Sequence, residues 1–337
     1  RCSAWRSESA CTSSSGSSSG EAFTLAATSE AMAGFLARAA RVARSTALEL
    51  AVNVSMDVAA EGVVAFPRAV IEPAPVPSPP FWGVRAVDGI DPAEMFGRMD
   101  AKSLYKLSWG GRGAKDAEYE RLLAEEFGPR RARMEAESIA QGWIVPRAAY
   151  GYFRGGRDGD AVVILGEDGR ERARFPFPRQ EDGRLLCIAD YFRPVDEGEP
   201  DVVTLQLVTV GREATEHIDR LQAEESYTEA YFAHGLAVEA AEGLADLVHA
   251  RIKRELGLDA DQGRRFSWGY PACPDIEQHA IVLDLLGAET ETLGVGLTAA
   301  FQLVPEQSTA AIVVHHPQAT YFSARRRNRQ PEGDPAA

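Results

Sequence analysis

Apolar and polar positions change period several times along the chain. In the stretch 238–252, Val238, Ala241, Ala245, Val248 and Ile252 recur at spacings of three and four, the mark of one apolar helix face. Charged and apolar residues mix in the same way over 118–142, which predicts an amphipathic helix, and 91–109 reads as a helix with a turn. Beta-branched runs bounded by Gly, Asp or Pro predict strands at 161–169, 185–192 and 201–211. A long helix or helix pair is expected over 213–256, a short helix over 276–286, and a strand ending in a turn over 309–317. Strands and helices in this irregular order suggest α+β rather than a doubly wound sheet.

The ends differ from this middle. Residues 1–20 are a Ser/Gly-rich run expected to be disordered, because it has nothing to bury. Residues 21–56 are rich in Ala, Leu and Arg and read as helical. Five prolines between Pro73 and Pro80 then form a stiff extended connector, so 21–80 is expected to be a helical segment and linker, with the main boundary at the prolines. The compact domain is expected over 81–325 and a frayed tail over 326–337.

Composition narrows the functions available. The chain has 337 residues, long enough for a sizeable core. Its net charge is −14, which argues against nucleic acid or an anionic membrane as partner. No apolar run reaches the roughly 20 residues of a membrane span. The N terminus carries no charged-then-apolar signal, so a cytoplasmic location is the expectation. Cys2, Cys11, Cys187 and Cys273 form no CxxC pair or metal spacing. His315 and His316 are adjacent, but neighbours in a strand point to opposite faces, so no shared metal is expected.

The stretch RRFSWGYPACPD, from Arg264 to Asp275, carries the chemistry. It fits neither a regular helix nor a regular strand. Pro271 and Pro274 lock φ and push Tyr270 and Cys273 toward extended backbone. Gly269 permits a backbone closed to other residues. The product is a pre-stiffened loop that loses little entropy when something docks on it. Asp275 reads as a helix N-cap with Gln278 in the capping-box position. Arg265 brings a planar fork suited to a carboxylate. Glu242 borders the apolar face of its helix, with His249 seven residues on. Tyr321 and Phe322 follow a turn and could wall a flat ligand. Taken residue by residue, a rigid turn, a surface arginine and a solvated rim carboxylate remain open readings.

The run GYPACPD, with the arginine four residues before its glycine, resembles the signature of the activation domain of cobalamin-dependent methionine synthase. PPFWG (79–83), FPFPRQ (175–180), LLCIADYFRP (185–194), the helix at 231–257 and the segment 297–322 resemble further stretches of that family in order. The second and third of these resemble strands of that domain. The likeness covers roughly 81–322. It implies a mostly antiparallel bent sheet flanked by helices. It also implies binding of S-adenosylmethionine (AdoMet), presented for reductive remethylation of oxidised cob(II)alamin with an electron from a flavodoxin-type donor. In that setting the chain is part of a methyltransferase of methionine biosynthesis, incomplete on its own. By the resemblance, Arg265 grips the AdoMet carboxylate, and Ser267, Gly269 and Tyr270 shape the adenosine side. Glu242 and Tyr321 are further ligand contacts, and Asp100 matches an acidic contact across a gap. Phe322 stands where the family has a second tyrosine. No residue need be catalytic, because the chemistry belongs to the cofactor. The family's DxHxxG cobalt-ligand motif does not occur in the sequence, so cobalamin belongs to another domain or partner chain. Two alternatives remain open: a non-catalytic AdoMet-binding module, and an activator of another corrinoid methyltransferase.

Overall fold

A long central strand, β2 (Arg147–Asp158), organises the molecule. The structure is a computed structural model that describes residues 68–114 and 116–324. The expected disordered start (1–20), the helix at 21–56 and the tail at 326–337 lie outside the described residues. On one side, β2 pairs with β5 (Asp201–Thr209) from Arg147↔Thr209 to Gly155↔Asp201. On the other it pairs first with β1 (Gly83–Ala86) and then with β3 (Ala161–Leu165). Beyond β3 lies β4 (Glu171–Pro176). Beyond β5 lie β9 (Ser308–Val314) and then β6 (Arg264–Ser267). These seven strands form one sheet, and every pairing is antiparallel. Two short strands, β7 (Gly296–Leu297) and β8 (Leu303–Val304), pair separately.

Both faces of the sheet are covered, which explains why β5 reads as a nearly continuous apolar run. Its alternate residues enter different cores: Val203, Leu205 and Leu207 one, Val202 and Val208 the other. The helical side holds α1 (Pro92–Gly97), the short turn α2 (Ala101–Ser103), α3 (Asp116–Leu122) and α4 (Gly128–Gln141). It also holds α5 (Arg212–Ala223) and the 29-residue α6 (Tyr227–Glu255). One face of α6 was expected to be buried. In fact Leu236, Ala237, Ala240, Ala241, Leu244, Ala245, Val248 and Ile252 are all buried, so the helix is covered over a much wider arc. Glu255 pins its end to the sheet by accepting hydrogen bonds from Tyr150 Oη (2.8 Å) and Tyr152 Oη (2.9 Å). The other core lies under α7 (His279–Leu286) and α8 (Ala288–Leu293).

Three expectations change. Residues 185–192 are no strand; Ile188–Tyr191 is a 3-10 turn. The Asp190 carboxylate accepts the Cys187 N–H (2.9 Å) and takes both ends of the Arg179 guanidinium, which closes the chain into a turn. The apolar run there records burial, since Leu186, Cys187, Ile188, Ala189 and Tyr191 are all in the core. The FPFPRQ stretch likewise leaves the sheet after Pro176. Residues 264–267 are a strand, because the prolines that forbid pairing lie further on. The proline segment is extended as expected. Arg68 reaches Asp160 (2.6 Å), and Glu72 accepts from His316 Nε2 (3.0 Å) while donating its N–H to Gln318 (3.0 Å).

Candidate functional site

The loop after β6 is built by its own backbone. Gly269 has φ of +89°, a region that favours glycine, and its N–H donates to the Cys273 carbonyl (2.8 Å). The Cys273 N–H returns to the Tyr270 carbonyl (2.8 Å), closing a four-residue turn with Pro271 second, where its fixed φ fits. The Trp268 indole is buried and donates to Gln278 Oε1 (2.9 Å), and Gln278 Nε2 donates to the Pro176 carbonyl (2.7 Å). Asp275 caps the next turn by accepting the Glu277 N–H (3.1 Å). The Gln278 side chain therefore braces the loop chiefly against β4, instead of completing a capping box. Tyr270 is left 58% exposed at the tip.

The C-terminal segment is laid beside this loop. The Ala324 N–H donates to the Pro271 carbonyl (3.3 Å), and Gln180 Nε2 donates to the Ser323 carbonyl (3.1 Å). Tyr321 stands edge-on to Phe266 at 5.4 Å and is 63% exposed. Phe322 flanks the same ring at 6.0 Å.

Arg265 extends from β6 toward α6. Its Nη2 donates to Glu242 Oε2 at 2.8 Å, so charges 23 residues apart in sequence meet. Its Nη1 is buried and has no hydrogen-bond partner. A buried donor left unsatisfied is costly and marks a place where an acceptor is expected. The pair borders a pocket of about 350 Å³ walled by Phe266, Ser267, Tyr270, Pro271, Ala272, Tyr321 and Phe322. The Glu242 carboxylate, and then burial, push the Tyr270 hydroxyl above its usual range. His249, on the same helix, is held neutral: burial and then the Arg265 charge lower its pKa to about 4.

Five of the seven residues expected at a ligand line this pocket: Glu242, Arg265, Ser267, Tyr270 and Tyr321. Gly269 shapes the turn without lining it. Asp100 is not in the wall. It caps α2, accepting the Lys102 N–H (2.9 Å) and the Ser103 hydroxyl (2.8 Å), and the Ser103 bond leads in holding its carboxyl below the usual range. Its charge is felt by Glu239, one turn before Glu242. Burial and the Glu242 and Asp100 charges raise the Glu239 carboxyl, against a hydrogen bond from Ser108. Glu242 alone of the three pairs with the arginine. Glu239 and the apolar wall of Phe266, Pro271 and Ala272 escaped the sequence reading; helical spacing from Glu242 was the signal for Glu239.

The family model described as the activation domain of vitamin B12 dependent methionine synthase matches residues 117–332. Methionine synthase of Mycobacterium tuberculosis is 39% identical over 279 residues, covering 74% of this chain and 23% of that protein. The Mycobacterium leprae protein of the same name is 37% identical over the same length and coverage. The chain therefore spans less than a quarter of the length of these relatives. A crystal structure of the MetH reactivation domain bound to AdoHcy superposes with a TM-score of 0.64 at 24% identity. That match covers 74% of this chain and 83% of the other, and it establishes the likeness of fold.

Proposed function

The chain belongs to the family of vitamin B12 dependent methionine synthase activation domains, and on that premise we propose that it binds AdoMet in the Arg265–Glu242 pocket. The observation that carries this reading is the half-used guanidinium of Arg265, with Nη2 on Glu242 and Nη1 buried without a partner. The head of AdoMet is an α-amino acid. Its carboxylate suits the free Nη1 and its ammonium suits the Glu242 carboxylate, so a zwitterion extends the existing ion pair. The sulfonium adds a positive charge, which the Glu242 carboxylate in the pocket wall favours. Tyr270 and Tyr321 offer exposed ring faces for the adenosine or the cation. That the related reactivation domain was crystallised with AdoHcy supports the same ligand class.

The residues on hand fit a binding and orienting role. A cobalamin-binding domain or partner chain would supply the methyl acceptor as its cobalamin, and a flavodoxin-type donor would supply the electron. This chain's part is to fix the amino-acid head at Arg265 and Glu242 and hold the sulfonium methyl toward the acceptor, so that orientation supplies the rate. No general base is needed for that work.

Calorimetric titration with AdoMet tests the assignment. A charge-assisted hydrogen bond contributes about 1.5–3 kcal/mol. Arg265→Ala and Glu242→Gln are each expected to weaken binding roughly tenfold to a hundredfold while leaving the melting temperature nearly unchanged. Undiminished affinity in both variants would falsify the residue assignment.

A further inference from the structure

The sheet face under α6 carries buried polar atoms that the Arg265 pocket does not use. Arg265 pairs with Val313 across β6 and β9, and Val313 pairs with Thr204 across β9 and β5. Ser267, Ala311 and Gln206 form the neighbouring row on the same face. Val313 lies in the core on the α6 side, so this face looks toward the helix. Thr204 and Gln206 are both 0% exposed. Gln206 Nε2 donates to the Ala245 carbonyl of α6 (3.1 Å). A carbonyl can only accept, so this bond fixes the amide and leaves Oε1 as an acceptor. That oxygen has no partner, and neither has the Thr204 hydroxyl. The same holds for His249 Nε2, one helical turn beyond Ala245, and for Arg265 Nη1. Glu242, Ala245 and His249 share one face of α6. The arginine bonded to the first and the amide bonded to the second therefore lie with the imidazole between helix and sheet. Arg265 is near enough that its charge, after burial, helps to keep the His249 ring neutral.

The chemistry of these four atoms selects what joins them. Gln206 Oε1 only accepts and Arg265 Nη1 only donates. The Thr204 hydroxyl and Nε2 of a neutral imidazole serve either way. An anion would suit the arginine but face the Gln206 oxygen, and a cation would do the reverse. The occupant must both donate and accept. Between a packed helix and sheet it must also be small, and water is the smallest molecule that does both. Its two protons and two lone pairs make four bonds for four atoms. In backbone, Thr204 and Arg265 are two strand spacings apart, about 10 Å, a gap that the arginine side chain and one water close.

We propose that a buried water, held by Thr204 Oγ1 and Gln206 Oε1, bridges to Arg265 Nη1 and His249 Nε2 and fixes the inner edge of the guanidinium. Nη1 carries two hydrogens, so one binds the water and the other stays free for a ligand acceptor. Thr204 and Gln206 are then positioning residues for the Arg265 pocket, although neither lines it. The water site stands by itself; its value to AdoMet rests on the reading above.

The test counts long-lived waters in the ligand-free full chain by oxygen-17 relaxation dispersion. It also looks by NMR for water cross-peaks to the Thr204 methyl and the His249 ring. The unaltered chain is expected to show these cross-peaks, and Thr204→Val to lose one long-lived water. Stability separates the cases by sign. Removing an unsatisfied hydroxyl raises the melting temperature, whereas removing one bonded to water lowers it, here by about 2–4 °C. Positioning is read from Arg265 itself: rotation about its Cζ–Nη1 bond, slow in the unaltered chain by nitrogen-15 NMR, should quicken in Thr204→Val. AdoMet affinity should fall about twofold to tenfold in the same variant. Absent cross-peaks, an unchanged water count, or a melting temperature that holds or rises would overturn the water site. Unchanged Arg265 rotation, or undiminished affinity in a chain that binds AdoMet, would overturn the positioning role. An unaltered chain that binds no AdoMet would remove the ligand assignment, and the ligand-free readouts would still decide the water site. The cross-peaks are read on the unaltered chain, so the result does not hang on a variant's folding.

Discussion

Arg265 and Tyr321 make different demands on a ligand. Arg265 is directional: one edge is committed to Glu242 and the other is open, so its effect depends on where an acceptor sits. Tyr321 contributes a ring held edge-on by Phe266 and largely exposed. If its face is what the ligand uses, Tyr321→Phe should leave AdoMet affinity within about twofold, whereas Tyr321→Ala should cost several-fold, as expected for about 0.5–1 kcal/mol of exposed cation–π contact. A large loss in the phenylalanine variant, measured by the same titration, would instead assign the work to the hydroxyl. Gly269 makes a third kind of demand. Its φ of +89° suits glycine, and a Cβ there would meet only Ile276 Cγ2, at an ordinary 3.6 Å. Gly269→Ala should thus cost only backbone strain, about 1–2 kcal/mol, or several degrees in melting temperature by scanning calorimetry.

Among the elements, α6 carries Glu242 and a larger share of one core than any other element, and its packing reverses a common rule. Replacing a helical glycine with alanine ordinarily stabilises by about 1 kcal/mol. At Gly243 the added Cβ would lie 2.7 Å from the Met95 carbonyl oxygen and 3.0 Å from Met99 Cγ. Backbone of α1 cannot retreat without disturbing the core, so Gly243→Ala is expected to destabilise by about 1–3 kcal/mol, read as a lower denaturant midpoint. The helix itself was legible because its apolar period is sustained over many turns. Strand β2, the centre of the sheet, was not. It contains no Val, Ile or Thr and carries Gly151, Gly155 and Gly156, and its buried residues point into both cores, so no alternation survives. The reverse error at 185–192 has the same root, since an apolar run reports burial without saying what backbone carries it.

For the whole molecule, His249 ties the site to folding. Unfolded, its imidazole titrates near its ordinary value of 6.5; folded, it stays neutral down to about 4. Between those values the unfolded chain binds the extra proton, so stability should fall as pH drops from about 6.5 toward 4 and be insensitive to this group above. Melting curves from pH 7.5 to 5 should show that slope, and His249→Gln should flatten it; an identical slope in the variant would remove His249 as the cause. The braced loop, its proline and glycine positions, the long helix and the family were already determined by residue order, because each rests on local backbone preference or on a run of neighbours. What only the tertiary structure decided is who meets whom. Arg265 finds Glu242 across 23 residues, and His315 finds Asp201 across 114. Such pairs depend on strand register and helix placement, which arise from the summed burial of two cores and leave no mark in any short stretch of sequence.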